Sequence, residues 1–148
     1  MRKLVMAAVS VVVAALLGAV VAAPAEAAGG IIIYRAYYNS PGTDNGSNGN
    51  LNAEYILLKN TSTVAMAVTG WTLRDKANHV YKFPTTRINP GKYLYIRTGK
   101  GTNNPSTRYW NKTWYIWNNT GDTAYLRGPA GGLRDSCTWG RTGSWRNC

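Results

Sequence analysis

Six carboxylates, one histidine and two cysteines are the side chains of this 148-residue chain with the strongest claim to acid–base, nucleophilic or metal chemistry. Nucleophilic catalysis needs a serine or cysteine beside a base that an acid orients. The one imidazole, His79, stands in a segment that reads as a turn, so it is expected on the surface. Glycoside hydrolysis needs two carboxylates across a cleft. Beyond Glu26 the chain offers Asp44, Glu54, Asp75, Asp122 and Asp135. Glu54 and Asp75 could pair, which leaves a weak hydrolase as the least favoured reading, and no catalytic residue is assigned. Asp44, Asn48, Asn50 and Glu54 supply oxygens of the kind calcium prefers, yet counting Asp44 as position one puts Gly46 at three and Tyr55 at twelve, where an EF-hand needs ligands. A plain turn-rich loop is the favoured reading. One histidine and no thiol cluster speak against zinc, and no cofactor is expected.

Cations and aromatic rings are more plentiful. Arg74, Lys82, Arg97, Lys100, Arg108, Lys112, Arg127 and Arg134 could neutralise phosphates, and Tyr93, Tyr95 and Tyr125 alternate with two of them, Arg97 and Arg127. Rings and guanidinium groups together suit bases, sugars and phosphates. Trp110, Trp114 and Trp117 belong to the densest aromatic cluster, Tyr109 to Trp117. Part of it must be buried, and alternation places Trp110 and Trp114, with one or two neighbours, inward or over a sheet edge. The rest could form a stacking platform for a glycan. Two binding hypotheses therefore stand: attraction to an anionic polymer through the cations, or a glycan- or protein-binding patch made by the tryptophans.

The elements that would position these groups have period two, and no sustained helical spacing occurs. Strands are expected at 31–37, 54–59, 71–75, 80–83, 93–98, 123–127 and 133–137, with Asn39 to Asn50 a long loop and Lys76 to His79 a hairpin connection. Pro90-Gly91 and Asn118 to Asp122 read as turns. Seven to eight short strands describe an all-β sandwich. Successive strand residues face opposite sides. Trp71, Leu73, Tyr81, Phe83, Leu94, Ile96, Ala124 and Leu126 then fall inside, while Thr72, Arg74, Lys82, Tyr93, Tyr95, Arg97, Tyr125 and Arg127 fall outside.

The N-terminus reads as an export signal over residues 1–27: Arg2 and Lys3, an apolar run from Leu4 to Ala23, and Ala25-Glu26-Ala27 as the cleavage site. An uncleaved anchor is the rival reading. Residues 28–148 then form one domain. The whole chain carries 17 Lys and Arg against 6 Asp and Glu; without Arg2, Lys3 and Glu26 it keeps 15 and 5, a formal charge of +10. That surplus predicts attraction to polyanions or serves solubility alone. Export would also deliver Cys137 and Cys148 to an oxidising compartment, where a disulfide tying down the C-terminal tail is expected.

The ordered motifs Asn52-x-Glu54-Tyr55-Ile56-x-Leu58-x-Asn60, Gly70-Trp71-x-Leu73-x-Asp75, Tyr81-x-Phe83-Pro84, Pro90-Gly91, Thr98-Gly99 and Asn118-Asn119-x-Gly121-Asp122-x-Ala124-x-Leu126 resemble the lamin-tail domain in a secreted bacterial form. The resemblance covers about Ile31 to Cys137. It implies an immunoglobulin-like sandwich and a binding role, and with no catalytic set assigned the chain is expected not to be an enzyme. Trp71 is expected to fill the space between sheets, and Asn60, Asn119 and Asp122 to satisfy backbone groups in bends. The functional expectation is a secreted, monomeric, extracellular or cell-wall-associated module that engages extracellular DNA or cell-wall polyphosphate.

Overall fold

A computed structural model describes residues 29–148; the expected export signal lies outside the described residues. Eleven strands and one short helix are present among them. In chain order these are β1 (Ile31–Tyr37), α1 (Asn48–Ala53), β2 (Tyr55–Asn60), β3 (Met66–Ala67), β4 (Thr72–Arg74), β5 (Val80–Lys82), β6 (Arg87–Ile88), β7 (Tyr93–Arg97), β8 (Thr107–Tyr109), β9 (Asp122–Arg127), β10 (Leu133–Trp139) and β11 (Trp145–Asn147). They form a five-stranded sheet, β11-β1-β2-β7-β8, a four-stranded sheet, β10-β9-β4-β5, and a small β3-β6 pair. Every pairing is antiparallel except that of β7 with β8.

The inner faces follow the alternation. Trp71, Leu73, Tyr81, Phe83, Leu94, Ile96, Ala124 and Leu126 are all buried, together with Ile33, Ile56 and Leu58. Each such aliphatic side chain contributes about 1.5–3 kcal/mol of burial. An aromatic chain fills the wider space. Tyr81 lies 5.7 Å from Trp110, Trp110 5.9 Å from Trp117, Trp117 5.7 Å from Trp139, and Trp139 stacks on Tyr38 at 4.9 Å.

The expected strand count of seven to eight is too low, because β3, β6, β8 and β11 are two or three residues long and show no readable alternation. The long loop is also corrected at its end, where α1 forms. Ser47 caps it by accepting from Asn50 N, Leu51 is buried, and the Asn48 and Asn52 amides both donate to Lys100 O. Six residues rich in Gly and Asn have poor helix propensity, so tertiary contacts hold this turn of helix. Glu54 caps its C-terminus and is not a strand residue. Between Ile33 and Arg35 the β1–β2 register shifts, leaving Tyr34 as the extra residue of a bulge.

The Cys137–Cys148 disulfide is present, and it links β10 of one sheet to the residue after β11 of the other. Asn60 and Asp122 satisfy backbone groups as expected: Asn60 donates to Val64 O and Ile88 O, and Asp122 accepts from Lys76, Asn118 and Thr123 N–H. Asn119 does not; its amide donates to the Asp44 carboxylate. Among the described residues no helix is long and apolar enough to cross a membrane.

Candidate functional site: the outer face of the five-stranded sheet

Registration of β11, β1, β2, β7 and β8 places outward residues in cross-strand rows. One row reads Trp145, Tyr37, Tyr55, Arg97, Tyr109, and the next reads Asn147, Arg35, Leu57, Tyr95, Thr107. A shorter third row is Ile32, Lys59, Tyr93. Neighbours in such rows lie close enough for rings and cations to touch.

They do touch. Tyr37 stacks on Tyr55 at 5.3 Å, and Tyr55 meets Tyr95 edge-on at 5.1 Å. The Arg97 guanidinium lies 5.1 Å from the Tyr95 ring and 5.5 Å from that of Tyr55, and donates to Asn52 O. Lys59 Nζ sits 5.2 Å from both Tyr34 and Tyr93, whose rings are themselves 5.2 Å apart. At the far edge Arg35 lies 4.7 Å over Trp145 and bonds Asn147 Oδ1. Leu57, on this outer side, is nevertheless buried beneath the aromatic layer. Where the face meets the Pro105 loop, a cavity of about 380 Å³ is lined by Tyr93, Tyr95, Ile88 and Pro105, with Arg87 and Lys92 beside them.

No carboxylate belongs to these rows. Glu54 and Asp122 are buried, Asp75 bonds the His79 ring at 2.7 Å, Asp44 accepts from Asn119, and Asp135 accepts from Ile33 N. Positive potential over the rows is therefore not cancelled by an acidic side chain within them.

Of the residues expected to bind a polyanion, only Arg97 is in this layer, with Tyr93 and Tyr95 from the stacking set. Arg74, Lys82, Arg127 and Tyr125 lie on the outer face of the four-stranded sheet, where Tyr125 has Arg74 at 5.6 Å and Arg127 at 6.0 Å. A sandwich turns its two outer faces away from each other, so the eight cations cannot form one surface. Arg108 is occupied internally by Thr86 Oγ1 and the carbonyls of Asn104 and Thr107. Arg134 lies 5.5 Å over Trp71. Lys100 is exposed and Lys112 half-buried, both in the connection between β7 and β9, outside the rows.

The tryptophan expectation needs correcting. Trp110 and Trp117 are 8% and 2% exposed and belong to the core, so neither can stack on a ligand, whereas Trp114, expected inward or over a sheet edge, is 62% exposed. Irregular backbone from Asn111 to Asn119 breaks the alternation that would have sorted them. The calcium donors do not converge. Asp44 holds Asn119, Asn48 binds Lys100 N and O, Asn50 accepts from Tyr115 Oη, and Glu54 Oε1 accepts from Thr98 Oγ1, Ile116 N and Trp117 N. Glu54 and Asp75 thus have separate partners and do not form a catalytic pair.

Sequence reasoning missed Tyr34, Arg35, Tyr37, Tyr55, Lys59 and Trp145. Alternation in β1 and β2 could have exposed Tyr37, Tyr55 and Lys59; the bulge at Tyr34 and the short β11 hide the rest. Among the described residues, burial displaces the pKa values of Glu54 and Tyr81. Burial raises Glu54 to about 7, against the lowering effect of its three hydrogen bonds, and burial raises Tyr81 against the nearby Arg108.

The fold and this face define an immunoglobulin-like β-sandwich module with a sheet surface of rings and cations. The chain belongs to the lamin-tail family: the family model, described as Lamin Tail Domain, matches residues 24–141. None of the curated proteins matches the chain.

Proposed function

We propose that this chain is a secreted, non-enzymatic binding module acting outside the cell or at its wall, and that the outer face of its five-stranded sheet engages an anionic polymer, extracellular DNA or cell-wall polyphosphate. The observation that carries this reading is the set of cross-strand rows in which Arg35, Lys59 and Arg97 are interleaved with Tyr37, Tyr55, Tyr93, Tyr95 and Trp145 and no carboxylate intervenes. Ring contacts hold the three cations in place before a ligand arrives, which lowers the entropy lost on binding. Their remaining N–H groups are available to phosphate oxygens. The high net charge supports the same reading through long-range attraction.

The test is titration of the protein with duplex DNA and with inorganic polyphosphate across a salt series. Neutralising three phosphates should weaken duplex binding about fortyfold from about 50 to about 200 mM salt. Replacing Arg35, Lys59 and Arg97 by Gln should remove most of the affinity and flatten that slope. Full affinity in this triple variant would refute the assignment.

A further inference from the structure

A second surface differs in chemistry. Asp44, Trp114, Tyr115, Ile116, Trp117, Asn118 and Asn119 line a cleft of about 300 Å³, within the range of small-ligand sites. We propose that this cleft binds one neutral pyranose residue of a glycan, with Trp114 as the stacking platform and the Asp44–Asn119 pair as the hydroxyl-recognising group.

The cleft is built firmly. Trp114 meets Tyr115 edge-on at 5.4 Å, and its ring lies so close over Gly46 that a Cβ there would stand 2.7 Å from it. Gly46 N donates to Tyr115 Oη, which in turn donates to Asn50. The next two residues of the wall, Ile116 and Trp117, are clamped from below by Glu54 Oε1, and Asn118 donates to Asp122 through both its backbone and its amide. An exposed tryptophan is thereby held on a rigid loop.

The polar groups fit a sugar. Asn119 Nδ2 donates to Asp44 Oδ2 at 3.1 Å, and among the described residues neither Asp44 Oδ1 nor Asn119 Oδ1 has a hydrogen-bond partner. Those oxygens are acceptors for vicinal hydroxyl donors, while the C–H face of a pyranose matches the indole ring. Trp117, whose buried Nε1 has no partner among the described residues, also contributes to this wall. No Lys or Arg lines the cleft and a carboxylate does, so an anionic ligand would be repelled here. The ligand is therefore a neutral sugar and not the polymer assigned to the sheet.

The deciding experiment titrates the protein with chitotetraose and cellotetraose by calorimetry, at low salt and in molar NaCl. At least one should bind saturably with little change in affinity between the two conditions. Trp114→Ala should weaken that binding about tenfold or more, Trp114→Phe should restore part of it, Asp44→Ala should weaken it, and Arg97→Gln should leave it unchanged. Absence of saturable binding by both sugars, or binding unaltered in Trp114→Ala, would overturn the proposal. DNA and polyphosphate binding by Trp114→Ala reports separately on the sheet face, so the two readings fail independently.

Discussion

Cys137 and Cys148 are bonded with their Cα atoms 5.6 Å apart, and the bond joins the four-stranded sheet to the residue that follows β11 of the five-stranded one. It does more than restrain a tail. β11 is three residues long and wholly exposed, yet it carries Trp145, the aromatic end of the candidate binding face.

Replacing both cysteines by serine should lower stability by about 3 kcal/mol, the chain-entropy contribution of so short a loop. Urea unfolding of oxidised and variant protein measures it. Hydrogen exchange in β11 should rise in the variant while β2 and β7 stay protected.

Glu54 should make stability fall as pH rises. Its folded pKa, about 7, lies above the unfolded value near 4.5, so between these pH values the native state binds more protons than the unfolded chain. The stabilisation is complete below about pH 4.5 and is lost as pH rises through about 7, a change of about 3 kcal/mol. Glu54→Gln keeps an acceptor for Thr98, Ile116 and Trp117 without the charge. The variant's melting temperature should gain on wild type between pH 5 and pH 8, and parallel curves would contradict the assignment.

The two ends of the aromatic cluster should respond very unequally to truncation. Trp117→Ala removes a core ring in contact with Trp110 and Trp139 and should cost about 4 kcal/mol. Trp114→Ala, at an exposed position, should change stability by less than about 0.5 kcal/mol. Denaturant midpoints of the two variants decide it.

Single charge removals on the sheet face should be graded. Arg97 has two rings and a backbone carbonyl around it, so Arg97→Gln should lower both polyanion affinity and, by about 1 kcal/mol, stability. Arg127→Gln, on the opposite face, should leave the affinity for duplex DNA within about twofold of wild type, because no row of the five-stranded sheet includes it. A larger loss from Arg127→Gln would move the interface to the other sheet.

Much of this was legible without coordinates. Alternation in and directly beside β4, β5, β7 and β9 sorted sixteen inward and outward residues correctly, because a pleated strand with one buried face must alternate. The basic surplus and the cysteine pair were equally readable. Tertiary structure alone decided which outward residues share a surface: Arg97 and Arg127 look equivalent in sequence, but their strands belong to different layers of the sandwich. It alone also sorted the tryptophans, since residues 111–119 follow no strand period and only the packing of neighbouring elements separates buried Trp117 from exposed Trp114. Local periodicity records a residue's direction relative to its own strand; strand order and loop packing are long-range, and they determine what each residue meets.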